Sequence, residues 1–207
     1  MPENLHKLFV ISSPSGGGKT SLINKLFEDS RSANFEKSIS DTSRQKREGD
    51  LEGKDYYFLT EKDFKDKIKK DEYVEFATVF GNFYGTSKEE IKKKYNNSNL
   101  ILELDWQGAY AVKELFDDAK LIFLLPPSLD DLKQRLINRN LDSSEAIEIR
   151  LSEAKKEISK SEMYDYLVLN DDFDKAFEDL SQILFEGISP IDFNSRASKD
   201  LIERLVE

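Results

Sequence analysis

The stretch LFVISSPSGGGKTSLINKLF, residues 8–27, places a glycine-rich turn between a short apolar segment and a segment with helical spacing. A strand, a glycine-rich turn and a helix in this order form the context that a phosphate-binding loop requires. Residues 16–18 carry no side chains, so their backbone N–H groups can converge on an anion at the start of the helix. Lys19 is expected to reach the β- and γ-phosphates of a nucleotide, and the hydroxyl of Thr20 is expected to ligate Mg²⁺.

The loop departs at one position from the usual pattern G-x-x-x-x-G-K-[ST], because Ser13 stands where the first glycine is expected. That glycine eases the turn out of the strand, whereas the later glycines, the lysine and the hydroxyl form the phosphate cradle. A glycine-rich turn with an incidental lysine is the alternative interpretation. The residues assigned to the phosphate site are Ser13, Pro14, Ser15, Gly16, Gly17, Gly18, Lys19, Thr20 and Ser21.

The composition limits the class of protein. With 207 residues, the chain can form one core with an insertion or a small mobile subdomain. No apolar run approaches the roughly 18 residues of a membrane span, and no signal peptide is evident at the start, so we expect a cytoplasmic protein without membrane contact. The net charge of -10 argues against a general nucleic-acid binder, and the lack of cysteine excludes disulfides and thiolate metal sites.

Hydrophobic periodicity predicts an α/β fold with three regions. A parallel core alternates strands at 8–11, 100–105, 120–125 and 166–170 with helices, and an α+β segment is inserted into it. A pair of basic helices, 129–138 and 145–160, predicts a lid, with a plain solvated hairpin as the alternative. The predicted regions are a core of residues 1–34, 98–126 and 161–207, an insertion of residues 35–97, and a lid of residues 127–160.

An acidic residue follows the buried segment 100–104. Asp105 is predicted to lie next to the phosphate loop at the carboxyl end of a core strand, where it would help to hold Mg²⁺ through water. Many strands end in an acid by chance, and the prediction draws its support from the phosphate loop.

Five segments occur in an order that resembles the guanylate kinase family: the phosphate loop, DTSRQKREGD (41–50), GNFYGT (81–86), LELDWQG (102–108) and the lid arginines. The resemblance covers roughly residues 8–185. It implies a three-layer P-loop NTPase core with a parallel sheet, an inserted GMP-binding subdomain and a helical lid. It also implies Mg²⁺-dependent transfer of the γ-phosphate of ATP to GMP in purine nucleotide metabolism.

The resemblance further implies roles for individual residues. The phosphate of GMP would be held by Arg44, Arg47, Tyr56 and Tyr84, and the guanine base would be read by Ser40, Glu75, Thr86 and Asp105. The residues that would act in catalysis are Lys19, Arg44, Arg135, Arg139 and Arg150. The matched segments depart from the family pattern at four further positions. Thr86 stands where many relatives have Ser, and Trp106 follows Asp105 where a smaller apolar residue is common. Glu103 occupies a position that is often Asp, and Asn140 stands where a glycine is expected after Arg139.

The case for guanine also has a physical basis. Guanine presents N1–H and N2–H₂ as neighbouring donors, and the carboxylate of Glu75 can accept from both, whereas adenine presents an unprotonated N1. The alternative is that Glu75 is a solvated strand carboxylate.

Other functions weighed are a nucleoside-monophosphate kinase for another base and a catalytically silent, protein-binding module of the same fold. A GTP-hydrolysing switch is also weighed, but no N-K-x-D segment is present. Assembly into a homo-oligomer is left open.

Overall fold

The computed structural model describes residues 7–79, 81–138, 143–191 and 196–206. The strands, in chain order, are β1 (Leu8–Ser12), β2 (Phe35–Lys37), β3 (Asp41–Thr42), β4 (Tyr57–Phe58), β5 (Tyr73–Val79), β6 (Asn82–Ser87), β7 (Asn99–Glu103), β8 (Lys120–Leu125) and β9 (Tyr166–Leu169). The α-helices are α1 (Lys19–Glu28), α2 (Glu61–Lys69), α3 (Lys88–Tyr95), α4 (Trp106–Leu115), α5 (Leu129–Asn138), α6 (Ser144–Ile158), α7 (Phe173–Ser181) and α8 (Arg196–Val206). A π-helical turn, Gln182–Glu186, extends α7.

The larger sheet is parallel throughout and has the strand order β2-β7-β1-β8-β9. Strand β1 lies in the middle, where Val10 is in register with Leu102 of β7 and Leu121 of β8. Both faces of such a sheet are covered by helices, which explains why its strands are continuous apolar runs. The predicted α/β class is therefore confirmed.

Each face of the sheet carries its own hydrophobic core. Successive side chains of a strand point to opposite faces, so Val10 contributes to one core and Ile11 to the other. The first core also contains residues of α3, α4 and α8, and the second contains residues of α1 and α7. The sheet between these two helical layers gives the predicted three-layer arrangement.

The inserted segment forms a second sheet with the strand order β4-β3-β6-β5. Strands β5 and β6 form an antiparallel hairpin, and α2 packs on this sheet through Phe64, whose ring lies 4.5 Å from that of Tyr73. The sequence of residues 35–40 predicts one short strand, and this prediction is wrong. Residues 35–37 pair with β7 in the core sheet, whereas Asp41 and Thr42 pair in the inserted sheet, so the predicted start of the insertion at residue 35 moves beyond Lys37.

The carboxyl-terminal helix α8 packs against the first core through Leu205, which is buried there beside partly buried residues such as Leu201 and Ile202. It also contacts α6. The sequence predicted at most a short helix without a role in this region. Within the described part of the chain, no helix combines the length and the apolar character that crossing a membrane requires.

Asp41 anchors the inserted sheet. The sequence predicted a surface loop from residue 41, but Asp41 is buried and its carboxylate pairs with Lys67 of α2. The same carboxylate accepts a hydrogen bond of 2.7 Å from the hydroxyl of Tyr73, and burial and this bond raise the pKa of Tyr73. One side chain thus joins β3, α2 and β5.

We expect Asp41→Ala to lower the free energy of unfolding by about 2–4 kcal/mol, because Tyr73 and Lys67 would lose their shared acceptor. Chemical denaturation measures the change. Glu61→Ala is the control, since it removes an exposed ion pair with Lys65 on the same helix and should cost at most about 0.5 kcal/mol. Equal effects of the two changes would contradict the anchoring role of Asp41.

Candidate active site

The phosphate loop leaves β1 at Ser12 and ends at Lys19, the first residue of α1. Gly18 precedes the helix with φ of 91°, a left-handed conformation that favours glycine. The N–H of Gly17 donates to the carbonyl of Pro14 at 2.8 Å, which closes the turn. The free N–H groups at the start of α1 therefore face the predicted anion site.

Lys19 lies between the loop and the carboxyl end of β7. Its ammonium donates to the carbonyl of Leu104 at 3.2 Å. Burial lowers the pKa of Lys19, and the carboxylates of Glu103, Glu157 and Asp105 act in the opposite direction. A positive charge is thus held at the loop among acidic groups.

Glu103, the last residue of β7, contacts the phosphate-loop residue Thr20. Its carboxylate accepts from the Thr20 hydroxyl at 2.7 Å through Oε1 and from the Lys37 ammonium at 2.7 Å through Oε2. Burial alone would raise the pKa of Glu103, but Lys19, Lys37 and the hydrogen bonds bring it below its ordinary value. Thr20, the predicted Mg²⁺ ligand, is therefore hydrogen-bonded to the carboxylate of Glu103.

Asp105 serves a different local purpose. It is the N-cap residue of α4, and its carboxylate accepts from the N–H of Gly108 at 2.9 Å. Strand β7 ends two residues earlier, at Glu103, so the Asp105 side chain follows the turn into α4. The predicted role of Asp105 in holding Mg²⁺ through water stays a prediction, and its charge also raises the pKa of Glu75.

Glu75 and Thr86 face each other on the hairpin of β5 and β6. They are cross-strand partners, and the Thr86 hydroxyl donates to Oε1 of Glu75 at 2.6 Å. Burial raises the pKa of Glu75, the bond from Thr86 lowers it, and the charge of Asp105 raises it further. Glu75 is therefore a partly buried carboxylate that Thr86 orients.

A cleft of about 370 Å³ lies between the phosphate loop and the inserted sheet. It brings together five predicted site residues that are far apart in sequence, namely Lys19, Thr20, Ser40, Tyr56 and Thr86. Lys37 and Lys54 also line it and were not predicted. The cleft is therefore polar and carries several cations, which suits an anionic ligand.

Arg44 lies beside the predicted aromatic pair at the edge of this region. Its guanidinium forms an ion pair of 2.9 Å with Asp50 and lies 5.5 Å from the ring centre of Tyr56. The rings of Tyr56 and Tyr84 are 5.7 Å apart. Arg47 lies on the same loop with an exposed side chain, and its backbone N–H donates to Asp50 at 2.7 Å.

The two lid helices contact the phosphate-loop side of the core. Arg135 of α5 donates to the carbonyl of Asn170 at 2.8 Å, and Arg150 of α6 donates to the hydroxyl of Ser15 at 2.7 Å. Arg139 and Asn140 lie outside the described residues. Two of the three predicted lid arginines are thus placed next to the loop.

Lys37, Glu157 and Asn170 are among the residues of the site region that were missed as functional candidates. Lys37 resembles any solvated lysine of a short strand, and Glu157 resembles any acidic residue of a charged helix. Burial raises the pKa of Glu157 to about 7. The charge of Lys19 acts to lower this pKa, and the charges of Asp105 and Glu153 act to raise it. Asn170 could have been identified only from its position, as a polar residue directly after the core strand β9.

Comparisons with known proteins agree with this geometry. The family model described as guanylate kinase matches residues 5–187. A guanylate kinase of a Wolbachia endosymbiont of Brugia malayi is 46% identical, and the match covers 88% of this chain and 93% of that protein. A guanylate kinase of Acinetobacter baylyi is 41% identical, with 96% of each chain covered.

A solved structure extends the likeness to the fold. The crystal structure of guanylate kinase from Anaplasma phagocytophilum superposes with a TM-score of 0.69 at 32% identity and covers 99% of this chain and 98% of that chain. The family match, the relatives and the phosphate-loop cleft together lead to one conclusion: the chain belongs to the guanylate kinase family.

Proposed function

We propose that this protein transfers the γ-phosphate of ATP to GMP and yields ADP and GDP. The observation that carries the proposal is the cleft in which Lys19 and Thr20 of the phosphate loop face Ser40, Tyr56 and Thr86 of the inserted sheet. A donor and an acceptor nucleotide can meet across such a cleft. The retained loop lysine and hydroxyl also argue against a catalytically silent module.

The phosphate loop would bind ATP through residues 13–21. Backbone N–H groups at the start of α1 would surround the phosphates, and Lys19 would add a fixed positive charge. Arg135 and Arg150, which lie beside the loop, would reach the transferring phosphate when the lid rearranges around ATP. Arg139 stays a prediction of the same kind.

The acceptor phosphate would bind near the aromatic pair. The guanidinium groups of Arg44 and Arg47 can each donate two hydrogen bonds to a dianionic phosphate. The hydroxyls of Tyr56 and Tyr84 add further donors. Asp50 would compete with the phosphate for the guanidinium of Arg44, so binding of GMP would rearrange this loop. These contacts fix the direction from which the acceptor oxygen approaches.

Guanine would be recognised by Glu75 with help from Ser40, Thr86 and Asp105. Thr86 occupies Oε1 of Glu75, which orients the carboxylate toward a ligand. The N1–H and N2–H₂ groups of guanine would donate to it, and these bonds would offset the burial that raises the pKa of Glu75. Adenine at the same position would leave a buried carboxylate without its donor.

In the reaction, an oxygen of the GMP phosphate attacks the γ-phosphorus of ATP, and the bond from that phosphorus to the β–γ bridging oxygen breaks, so that this oxygen leaves with ADP. The attacking oxygen is already anionic at neutral pH, so the protein needs no strong general base. Lys19, Arg135 and Arg150 offset charge on the transferring group, while Arg44 holds the acceptor in line. Closure of the lid excludes water that would otherwise hydrolyse ATP.

The residues beside the loop fit Mg²⁺ as the cofactor. Thr20 and Glu103 supply hard oxygen atoms, and no cluster of three or more acidic or histidine ligands occurs among the described residues. Mg²⁺ is commonly held in this way, by one or two protein oxygens together with nucleotide phosphates and water. When bound, the ion would neutralise charge on the β- and γ-phosphates.

The regional assignments follow from these roles. The inserted sheet, within residues 38–97, would be the GMP-binding region, and residues 127–160 would be the lid. A cytoplasmic location stays a prediction, as does the oligomeric state.

The acceptor specificity tests the proposal. The wild-type protein should release ADP with GMP as acceptor and far less with AMP, CMP or UMP in a coupled assay. No GMP-dependent release of ADP would contradict the proposed function.

Glu75→Gln should lower kcat/KM for GMP by an amount equivalent to about 2–4 kcal/mol, because one acceptor becomes an amide donor that faces a guanine donor. The same change should improve AMP relative to GMP, since the amide can donate to adenine N1. The measured quantity is the ratio of the two kcat/KM values. An unchanged ratio would show that Glu75 does not read the base.

Glu103→Gln should raise the Mg²⁺ concentration for half-maximal activity on the order of tenfold, because the neutral amide is a weaker partner for the metal and its ligands. A Mg²⁺ titration at saturating ATP and GMP measures this change. Asp105→Asn is the comparison, and it should affect the guanine preference more than the Mg²⁺ requirement. The reverse pattern would return the metal role to Asp105.

The raised pKa of the partly buried Glu157 predicts a pH-dependent stability. Its pKa is about 7 in the folded protein, compared with an ordinary value of 4.5. Between these two values, the unfolded chain loses the proton while the folded protein keeps it, so Glu157 lowers stability increasingly as the pH rises. Above pH 7 its destabilising contribution should be complete.

Glu157→Gln should therefore unfold like the wild type at or below pH 4.5 and at a higher temperature above pH 7. Thermal unfolding without nucleotide or metal, measured over this pH range, tests the expectation. The exposed neighbour Glu153→Gln is the control and should change the pH profile less. Parallel profiles of wild type and Glu157→Gln would contradict a raised pKa.

A further inference from the structure

Asn170 follows the last core strand and is buried, with 4% of its surface exposed. Its backbone N–H donates to the carbonyl of Leu125 at the end of β8, at 2.8 Å. The residue is therefore fixed to the edge of the parallel sheet at which the phosphate loop also lies. None of the roles proposed above requires it.

The side chain of Asn170 reaches the phosphate loop. Its Nδ2 donates to the carbonyl of Gly17 at 2.7 Å. A Cβ atom at Gly18 would lie only 2.3 Å from the same nitrogen, so the amide occupies the space that a side chain at Gly18 would need. The loop and Asn170 are thus closely packed at this point.

This hydrogen bond determines the direction of a neighbouring donor. In a trans peptide, the C=O of one residue and the N–H of the next point in opposite directions. With the carbonyl of Gly17 held toward Asn170, the N–H of Gly18 must point in the opposite direction, away from Asn170. A reversed peptide would present a carbonyl oxygen where an anion needs a donor.

The backbone of Asn170 contacts the lid. Its carbonyl accepts from the guanidinium of Arg135 at 2.8 Å, and α5, the helix that carries Arg135, packs on Gly16 through Leu132 and Leu136. One buried residue therefore joins the sheet, the phosphate loop and the first lid helix.

We propose that Asn170 is a positioning residue that fixes the Gly17–Gly18 peptide of the phosphate loop in its anion-binding orientation and couples the loop to the lid through Arg135. The inference rests on the proposed binding of ATP at this loop. It assigns Asn170 no contact with the reacting atoms.

The first test compares Asn170→Ala and Asn170→Asp with the wild type. Calorimetry measures the affinity for a non-hydrolysable ATP analogue with Mg²⁺, for tripolyphosphate with Mg²⁺, and for GMP. Both variants lose the donor to Gly17, so affinity for the two phosphate ligands should fall on the order of tenfold, the equivalent of one hydrogen bond. Affinity for GMP should stay close to that of the wild type.

Tripolyphosphate separates loop positioning from a contact with the nucleoside. A loss confined to the ATP analogue would mean that Asn170 contacts the base or sugar, and it would overturn the proposal. Asp172→Ala is the matched control, because it removes the N-cap of α7 in the same turn without touching the loop. Asp172→Ala should keep its affinity for both phosphate ligands, and an equal loss there would also overturn the proposal.

The link to the lid is tested by a double-mutant cycle. Arg135→Ala is measured in the wild type and in Asn170→Ala, with affinity for the ATP analogue as the readout. If Asn170 couples the loop to Arg135, the loss caused by both changes together should be smaller than the product of the separate losses. If the combined loss of affinity equals the product of the separate losses, the two residues act independently, and the proposed coupling is overturned.

A measurement on the wild type covers the case in which both variants fail to fold. The side-chain amide protons of Asn170 should exchange slowly with solvent in NMR spectra, because they are buried and bonded to Gly17. Rapid exchange would overturn the proposal. Absence of ATP binding or of transfer to GMP by the wild type would instead contradict the proposed function.

Discussion

Strand β1 is hydrogen-bonded to β7 on one side and to β8 on the other, and its side chains are buried on both faces. All strands of this sheet run in the same direction, so their carboxyl ends meet at one edge. The phosphate loop follows β1 at that edge, Glu103 ends β7 there, and Asn170 follows β9 there. The candidate site therefore depends on the burial and pairing of a central strand.

Charge is distributed unevenly around this edge. The chain carries a net charge of -10, yet Lys19, Lys37, Arg135 and Arg150 all lie beside the phosphate loop. Lys37 forms an ion pair with Glu103, and Arg135 donates to the carbonyl of Asn170. Binding of phosphates would replace such partners, so lid and loop contacts would change together with occupancy.

The inserted sheet is stabilised separately from the parallel core. Asp41, Lys67 and Tyr73 form its buried polar centre, and the aromatic stack of Phe64 on Tyr73 fastens α2 to the same strands. These contacts hold β3, β5 and α2 together, so the cleft-facing residues of the inserted sheet keep their relative positions.

The sequence by itself determined the features that depend on neighbouring residues. These include the phosphate loop, the apolar core strands and the helix caps at Thr60 and Ser128, whose side chains accept from N–H groups three residues later. The α/β class followed from the same local patterns, and the family resemblance named Ser40, Tyr56 and Thr86, which line the cleft. The tertiary structure decided the division of residues 35–42 between two sheets, the approach of Glu103 rather than Asp105 to Thr20, and the bond from Asn170 to Gly17. Each of these depends on strand pairing or packing between distant segments, and the local spacing of residue types carries no information about which distant atoms will meet.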